Sequence, residues 1–379
     1  MRTLPSLVLG ILILLSHNLY SVPNQVYIIG NNASSALLWT SNFDGTSINQ
    51  IQLVPIGSAL SLALSLTHMY SVGTDSAIGE NAILWISNLD GTSTKQIQLA
   101  SGVINNPALA RHVALSPTHI YSVGTSGAAD GTAILWITNL EGSSINQIQL
   151  APPGNDGAQA RSLALSSSHV YSVGYDGSHN ATLWISNLDG SSTNKIQLAP
   201  KESVRAGGRG IALSSTHAYI VGNDGFFNAT LWISNLDGSS INQIQLAPSG
   251  NSSAEAAGIA LSPTHIYSVG YDKFNNATLW ITNINGTSTK QIQLTQNGNS
   301  IAEARGVAVS STHAYIVGND EFINPTLWIS NLDGTSISQI QLSSGGFQTA
   351  AYNVAFLILP NKLLLENLNR YSPFVPLKK

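Results

Sequence analysis

Residues 230–246, TLWISNLDGSSINQIQL, hold an apolar run, a turn and a second alternating run. TLWIS and INQIQL are too short for a helix of ten or more residues and are rich in Ile, Thr and Trp. Asn-Leu-Asp-Gly between them breaks any helical pattern, so the stretch is a β-hairpin. The phrase recurs along the chain and carries every tryptophan: Trp39, Trp85, Trp136, Trp184, Trp232, Trp280 and Trp328, spaced 46, 51, 48, 48, 48 and 48 residues apart. A period near fifty with several short strands per unit marks propeller blades, and the same chemistry argues against helical hairpin repeats.

Working outward, residues 209–246 show one whole unit: GIALS (210–214), the turn SSTH, AYIVG (218–222), the loop NDGFFNA, then the quoted hairpin. The four strands are labelled A to D from the ring axis outward. LWI and YIV are apolar on both sides, as the middle strands of a sheet with neighbours on both faces must be. The first unit begins at a strand B (26–30) with no strand A before it, and an A-like segment, NVAFLI (353–358), follows the seventh strand D. The expected fold is therefore all-β, a seven-bladed β-propeller whose closing blade is completed by a C-terminal strand, leaving no open side. PNKLLLEN (360–367) resembles PNQVYIIG (23–30), and both cannot fill one B slot; a short helix or an outer strand are the alternatives for 360–367.

Composition agrees. Charged residues are 9% of the 379, against roughly 25% in an average soluble domain, and the formal charge is -4 with no basic cluster. Nucleic acid is not an expected partner. Residues 1–21, MRTLPSLVLGILILLSHNLYS, have the layout of a secretory signal peptide, with an apolar core too short to span a bilayer comfortably. The expected organisation is a signal peptide at 1–21, the propeller at 22–368 and a tail at 369–379. With no cysteine, an exported chain would hold together by packing alone. A secreted, periplasmic or cell-surface monomer without cofactor, and with no transmembrane segment after signal removal, is expected.

AEARGVAVSSTHAYIVG (302–318) and RGIALSSTHAYIVG (209–222), each followed by a Trp strand and NLDG, resemble the seven-bladed β-propeller repeat family of bacterial and archaeal exported proteins. The NHL propellers share part of the phrase. His stands where the family has Gly-Asn in the A–B turn, and the B–C loops are shorter. The resemblance implies a fold and an export route and no single activity.

Six histidines, His68, His119, His169, His217, His265 and His313, share one A–B turn slot. They are expected to close the turn, where His tolerates positive φ; His112 and His179 are singletons without a second ligand at metal spacing. The Trp rings are expected to be enclosed by the adjacent blade, and the Gly of NLDG to take positive φ. Loop variation concentrates on the B–C/D–A face. There Asp176, Asp224, Asp272 and Asp320 form a rim, with Arg161, Arg209 and Arg305 entering strand A, and Arg209 is expected to pair with Asp224 and Arg305 with Asp320. Ala257 breaks this rule in blade six, where Asp272 has Lys273 and Glu255 nearby. Phe226, Phe274 and Phe322 recur at one exposed loop position.

The candidate ligand-binding set is Asp224, Phe226, Glu255, Asp272, Phe274, Glu303, Asp320 and Phe322, with no catalytic or metal residue assigned. The expected function is a non-enzymatic binding or scaffold protein that engages a protein or glycan through this face. The alternatives are a multivalent lectin with inter-blade pockets, and a hydrolase or lyase at the channel mouth drawing on Asp272, Glu255, Glu303, Arg305 and His112. The sequons at Asn32, Asn180, Asn228, Asn251, Asn276 and Asn285 matter only in a glycosylating host.

Overall fold

A computed structural model of the chain describes residues 25–32, 35–75, 79–127, 131–152, 157–202, 205–248, 253–295, 302–343 and 349–357. The expected export signal, the segment 360–367 and the tail lie outside the described residues. Short antiparallel strands form seven four-stranded sheets. Six are sequential in the chain, for example Gly207–Leu213, His217–Asn223, Ala229–Asn235 and Asn242–Ala247 in blade five. In the first, Ala350–Leu357 pairs with Gln25–Asn32, ahead of Ser35–Asn42 and Asn49–Val54. That strand lies between the inner strands Glu303–Val309 and Ser58–Leu64, so the ring closes as expected: a seven-bladed β-propeller.

Each blade interface is a separate apolar cluster led by a tryptophan. Trp136 of blade three packs on Val72, Leu84 and Ile97 of blade two, and Trp39 of the closing blade packs on Val317 and Leu327 of blade seven. Every Trp ring is at most 1% exposed, and burying so large a ring contributes more than any other side chain here. Four indoles donate to the outer strand, Trp39 Nε1 to Gln50 Oε1 at 3.0 Å among them. The N–H groups of Trp184, which faces Lys195, and of Trp280 and Trp328, which face Gln291 and Gln339, have no partner among the described residues.

The turns behave as their sequences require, with one difference. Gly190 and Gly238 of NLDG have φ of 76° and 84°. The turn histidines do not take positive φ. His217 N donates to Ser214 Oγ at 3.0 Å and its Nδ1 sits 2.8 Å from Thr216 Oγ1, so His is held by hydroxyls as strand B begins. In blades four to seven positive φ does fall on His179, Phe227, Asn275 and Ile323, the fourth residue of the B–C loop.

One feature of strand A sets the site. Its pairing with strand B slips by one residue in every blade, leaving Leu60, Arg111, Arg161, Arg209, Ala257, Arg305 and Tyr352 unpaired on a bulge. A bulge bends the strand and re-aims side chains. It also drives the strand A carbonyl against strand B: a Cβ on Gly174 would strike the Gln159 carbonyl oxygen. The glycine of each YSVG or YIVG is thus the partner of the bulge. Gly174→Ala should cost about 1–3 kcal/mol in urea unfolding, whereas Gly207→Ala, whose Cβ would meet only ordinary contacts at 3.6 Å and beyond, should change stability by less than about 0.5 kcal/mol.

Candidate functional site in the central channel

Because strand A is innermost, the bulged residues converge on the axis. They line a cavity of ≈ 240 Å³ near the B–C/D–A face, together with His112, Glu255, Glu303 and Asn353. Four arginines against two glutamates give this lining an excess of two positive charges. The charges are not evenly placed. Arg209 Nη2 of blade five reaches Glu255 Oε2 of blade six at 2.6 Å, and Arg305 Nη2 of blade seven bonds Glu303 Oε2 on its own strand at 2.8 Å. Arg111 and Arg161, on blades three and four, carry no ion pair among the described residues, and the Nε of each is buried without a partner.

The expected pairs Arg209–Asp224 and Arg305–Asp320 do not form. The bulge turns each arginine toward the axis, away from the end of strand B, and the aspartates are committed elsewhere. Asp224 accepts from Phe226 N at 2.9 Å, Asn228 N at 3.0 Å and Asn228 Nδ2 at 2.8 Å, closing its own loop. Asp320 repeats this pattern. Asp272 does so as well and adds Gln293 Nε2 at 3.1 Å. Asp176 also takes Lys195 Nζ at 2.6 Å. These buried carboxylates are loop caps, so Asp272 stands apart from Glu255, Glu303, Arg305 and His112, which the channel does bring together. Phe226, Phe274 and Phe322 sit on the rim, 55%, 53% and 73% exposed, with Lys273 Nζ 5.1 Å from the Phe274 ring.

Electrostatics distinguishes the channel groups. Burial raises the Glu303 carboxyl above its ordinary value, with Arg305 opposing that shift and Glu255 reinforcing it. Burial lowers the Arg111 guanidinium to about 10, and Arg209 adds repulsion. Burial likewise lowers His112 to about 4. Leu163 N lies 3.5 Å from His112 Nδ1; as a donor it leaves the proton of the neutral ring on Nε2. Behind Arg161, Tyr175 is flanked by two guanidinium groups, Arg161 at 5.3 Å and Arg205 at 4.4 Å from the ring centroid, and its hydroxyl accepts from Arg205 Nη1 at 2.7 Å. Arg305 lies 4.7 Å over the ring of Tyr352.

Sequence reasoning passed over Arg111, Tyr352 and the bulge itself. The available signal was the shared repeat slot of Leu60, Arg111, Arg161, Arg209, Ala257, Arg305 and Tyr352, one residue set varying in chemistry while its surroundings repeat. A larger cleft on the opposite face, ≈ 590 Å³ and bordered by Asp44, His313 and Tyr315, is built from turn groups already engaged with one another. Among the described residues no three His, Asp or Glu side chains are placed to share a metal ion.

No protein-family model matches the chain, and no curated protein matches its sequence. Among solved structures it is similar to two described as "putative 6-phosphogluconolactonase". That from Bacteroides fragilis has a TM-score of 0.59 and 12% identity, covering 89% of this chain and 99% of the other. That from Bacteroides uniformis has a TM-score of 0.59 and 14% identity, covering 88% and 99%. A periplasmic gluconolactonase of Pseudomonas aeruginosa gives a TM-score of 0.61 at 12% identity over 89% and 99%. At such identities the likeness is one of fold. The expectation of a non-enzymatic scaffold finds no support in it: these similar structures carry the names of hydrolases, and Glu255, Glu303, His112 and four arginines gather in the channel of this chain.

Two outcomes test this arrangement. Asp224→Ala should destabilise by about 1–3 kcal/mol while Phe226→Ala stays within about 0.5 kcal/mol, both read by chemical denaturation. His112 binds its proton more weakly folded (about 4) than unfolded (about 6.5). Its contribution is therefore full above pH 6.5 and is lost as the pH falls toward 4. Between pH 7 and pH 4.5 the wild type should lose about 2 kcal/mol more than His112→Asn.

Proposed function

We propose that the protein is a hydrolase that opens a sugar lactone in the central channel. The observation that carries this reading is the Glu303–Arg305 pair, a raised carboxyl bonded to a guanidinium inside a cationic cavity. A carboxyl with a raised pKa in a cleft is suited to proton transfer near neutral pH. The names of the similar lactonase structures support the choice of reaction class. The cavity, ≈ 240 Å³, is small beside the roughly 300–1,000 Å³ of drug-sized ligand sites, which fits a single sugar ring.

In this reading the Glu303 carboxylate takes a proton from a water molecule as its oxygen attacks the lactone carbonyl. Arg305 stabilises the oxyanion that forms. Collapse of the tetrahedral intermediate breaks the ring C–O bond, and the proton passes to the departing ring oxygen, giving the open hydroxy acid. The sum is lactone plus water. Glu255, held by Arg209, borders the same cavity and sustains its field. Export to the periplasm or outside the cell belongs to the same proposal. It is supported by residues 1–21, by the resemblance to the exported repeat family and by the periplasmic gluconolactonase of like fold.

Acid release from glucono-δ-lactone and from its 6-phosphate, followed in a pH-stat against spontaneous hydrolysis, is the test. Glu303→Gln should lower the enzyme-dependent rate about 10²–10⁴-fold. Its acid-side limb, set by a carboxyl above the usual range, should vanish with the substitution. An unchanged rate in Glu303→Gln, or none above the blank in the wild type on any sugar lactone, would remove the reading.

A further inference from the structure

We infer that the channel wall of blades three and four is a binding site for a phosphate monoester, formed by Arg111, Arg161 and His112. This deepens the lactonase reading and rests on it for the identity of the molecule that bears the phosphate.

Of the four channel arginines, two are neutralised by carboxylates and two, among the described residues, are not. Leaving a guanidinium unpaired in a partly closed cavity costs free energy. Here it happens on adjacent blades; the Nε–H of each is buried with no acceptor, as is that of the paired Arg305, so what sets these two apart is the missing carboxylate. An arginine presents five donors in a rigid fork, so two such forks offer more N–H groups than one carboxylate can accept, while three phosphate oxygens can use them. His112 borders the same cavity. With Nδ1 facing the Leu163 amide, its neutral ring offers an N–H donor and no third charge. Arg161 is also backed by the Tyr175 ring, a contact that orients a guanidinium without consuming its N–H groups.

The opposite wall has the contrary character. Glu255 and Glu303 stand on blades six and seven, beside Ala257 and Tyr352 at bulge positions without charge. Each carboxylate there is already paired with an arginine, so that wall carries no net charge, and a phosphate is drawn instead to the unpaired guanidinium groups of blades three and four. The ligand is thereby oriented, with its anionic group on Arg111 and Arg161 and the remainder facing the carboxylates.

Inorganic phosphate is the probe, titrated calorimetrically into the whole protein, with acetate as the competing oxyanion. Saturable one-site binding is expected, weaker for acetate and at least tenfold weaker in Arg111→Gln and in Arg161→Gln, with Lys290→Ala on the opposite face unchanged. Thermal unfolding gives a second reading that also reports folding. Phosphate should raise Tm in the wild type and not in either arginine variant, and the variants without phosphate should melt no lower than the wild type, since each sheds an unpaired charge. No saturable phosphate binding, acetate binding as tight as phosphate, or binding indifferent to both substitutions would overturn the site. Phosphate binding without lactone hydrolysis would leave the site standing and remove the lactonase reading. Equal kcat/KM on glucono-δ-lactone and its 6-phosphate, with no phosphate binding, would do the reverse.

Discussion

The tryptophan wedged between each blade and the one before it is the contact on which this ring depends. Each indole is buried against the middle strands of its neighbour, as Trp136 is against blade two and Trp232 against blade four. A uniform wedge gives uniform spacing between sheets, and uniform spacing lets seven inner strands meet around one axis. The closing strand Ala350–Leu357 obeys the same rule, with Val354 and Ala351 buried in the cluster that holds Trp39. No disulfide contributes, since the chain has no cysteine. Tyrosines add ties between blades, such as Tyr267 Oη donating to the Leu332 carbonyl at 3.0 Å.

The second constraint is the bulge of the inner strand. Side chains on a regular strand alternate between faces, and here both faces of the sheet are packed against other blades. An extra residue breaks that alternation and directs one side chain per blade toward the axis. The glycine opposite permits it by yielding its Cβ volume to a carbonyl oxygen. A near-symmetric scaffold can therefore carry an asymmetric site: seven equivalent positions hold Leu, three consecutive Arg, Ala, Arg and Tyr. The run of arginines on blades three to five follows from that order, while Glu255 and Glu303 enter the channel from the start of strand A in blades six and seven.

The rim draws attention in the sequence because it collects Asp and Phe in variable loops. The aspartates there are spent on backbone amides, which leaves the phenylalanines as exposed apolar side chains. The arginines, glutamates and histidine of the channel are deeper, where low dielectric magnifies their fields. Glu255 and Glu303 belonged to the expected rim set and prove to be the members that enter the channel.

Strand identity, blade count, ring closure and the hairpin glycines were all written in local patterns: short β-branched runs, a repeat near fifty residues, and a strand missing at one end and supplied at the other. Such features depend on neighbours in the chain or on counting, so the sequence by itself determined them. The partners of the arginines were another matter. Arg209 finds Glu255, 46 residues and one blade away, because a bulge rotates it off the sheet and the ring brings adjacent inner strands together. His112, next to the bulged Arg111, comes to border the same channel. The repeat slot shows which residues are equivalent, but a backbone slip of one residue does not show in spacing, so which charges meet in the channel was decided by tertiary structure.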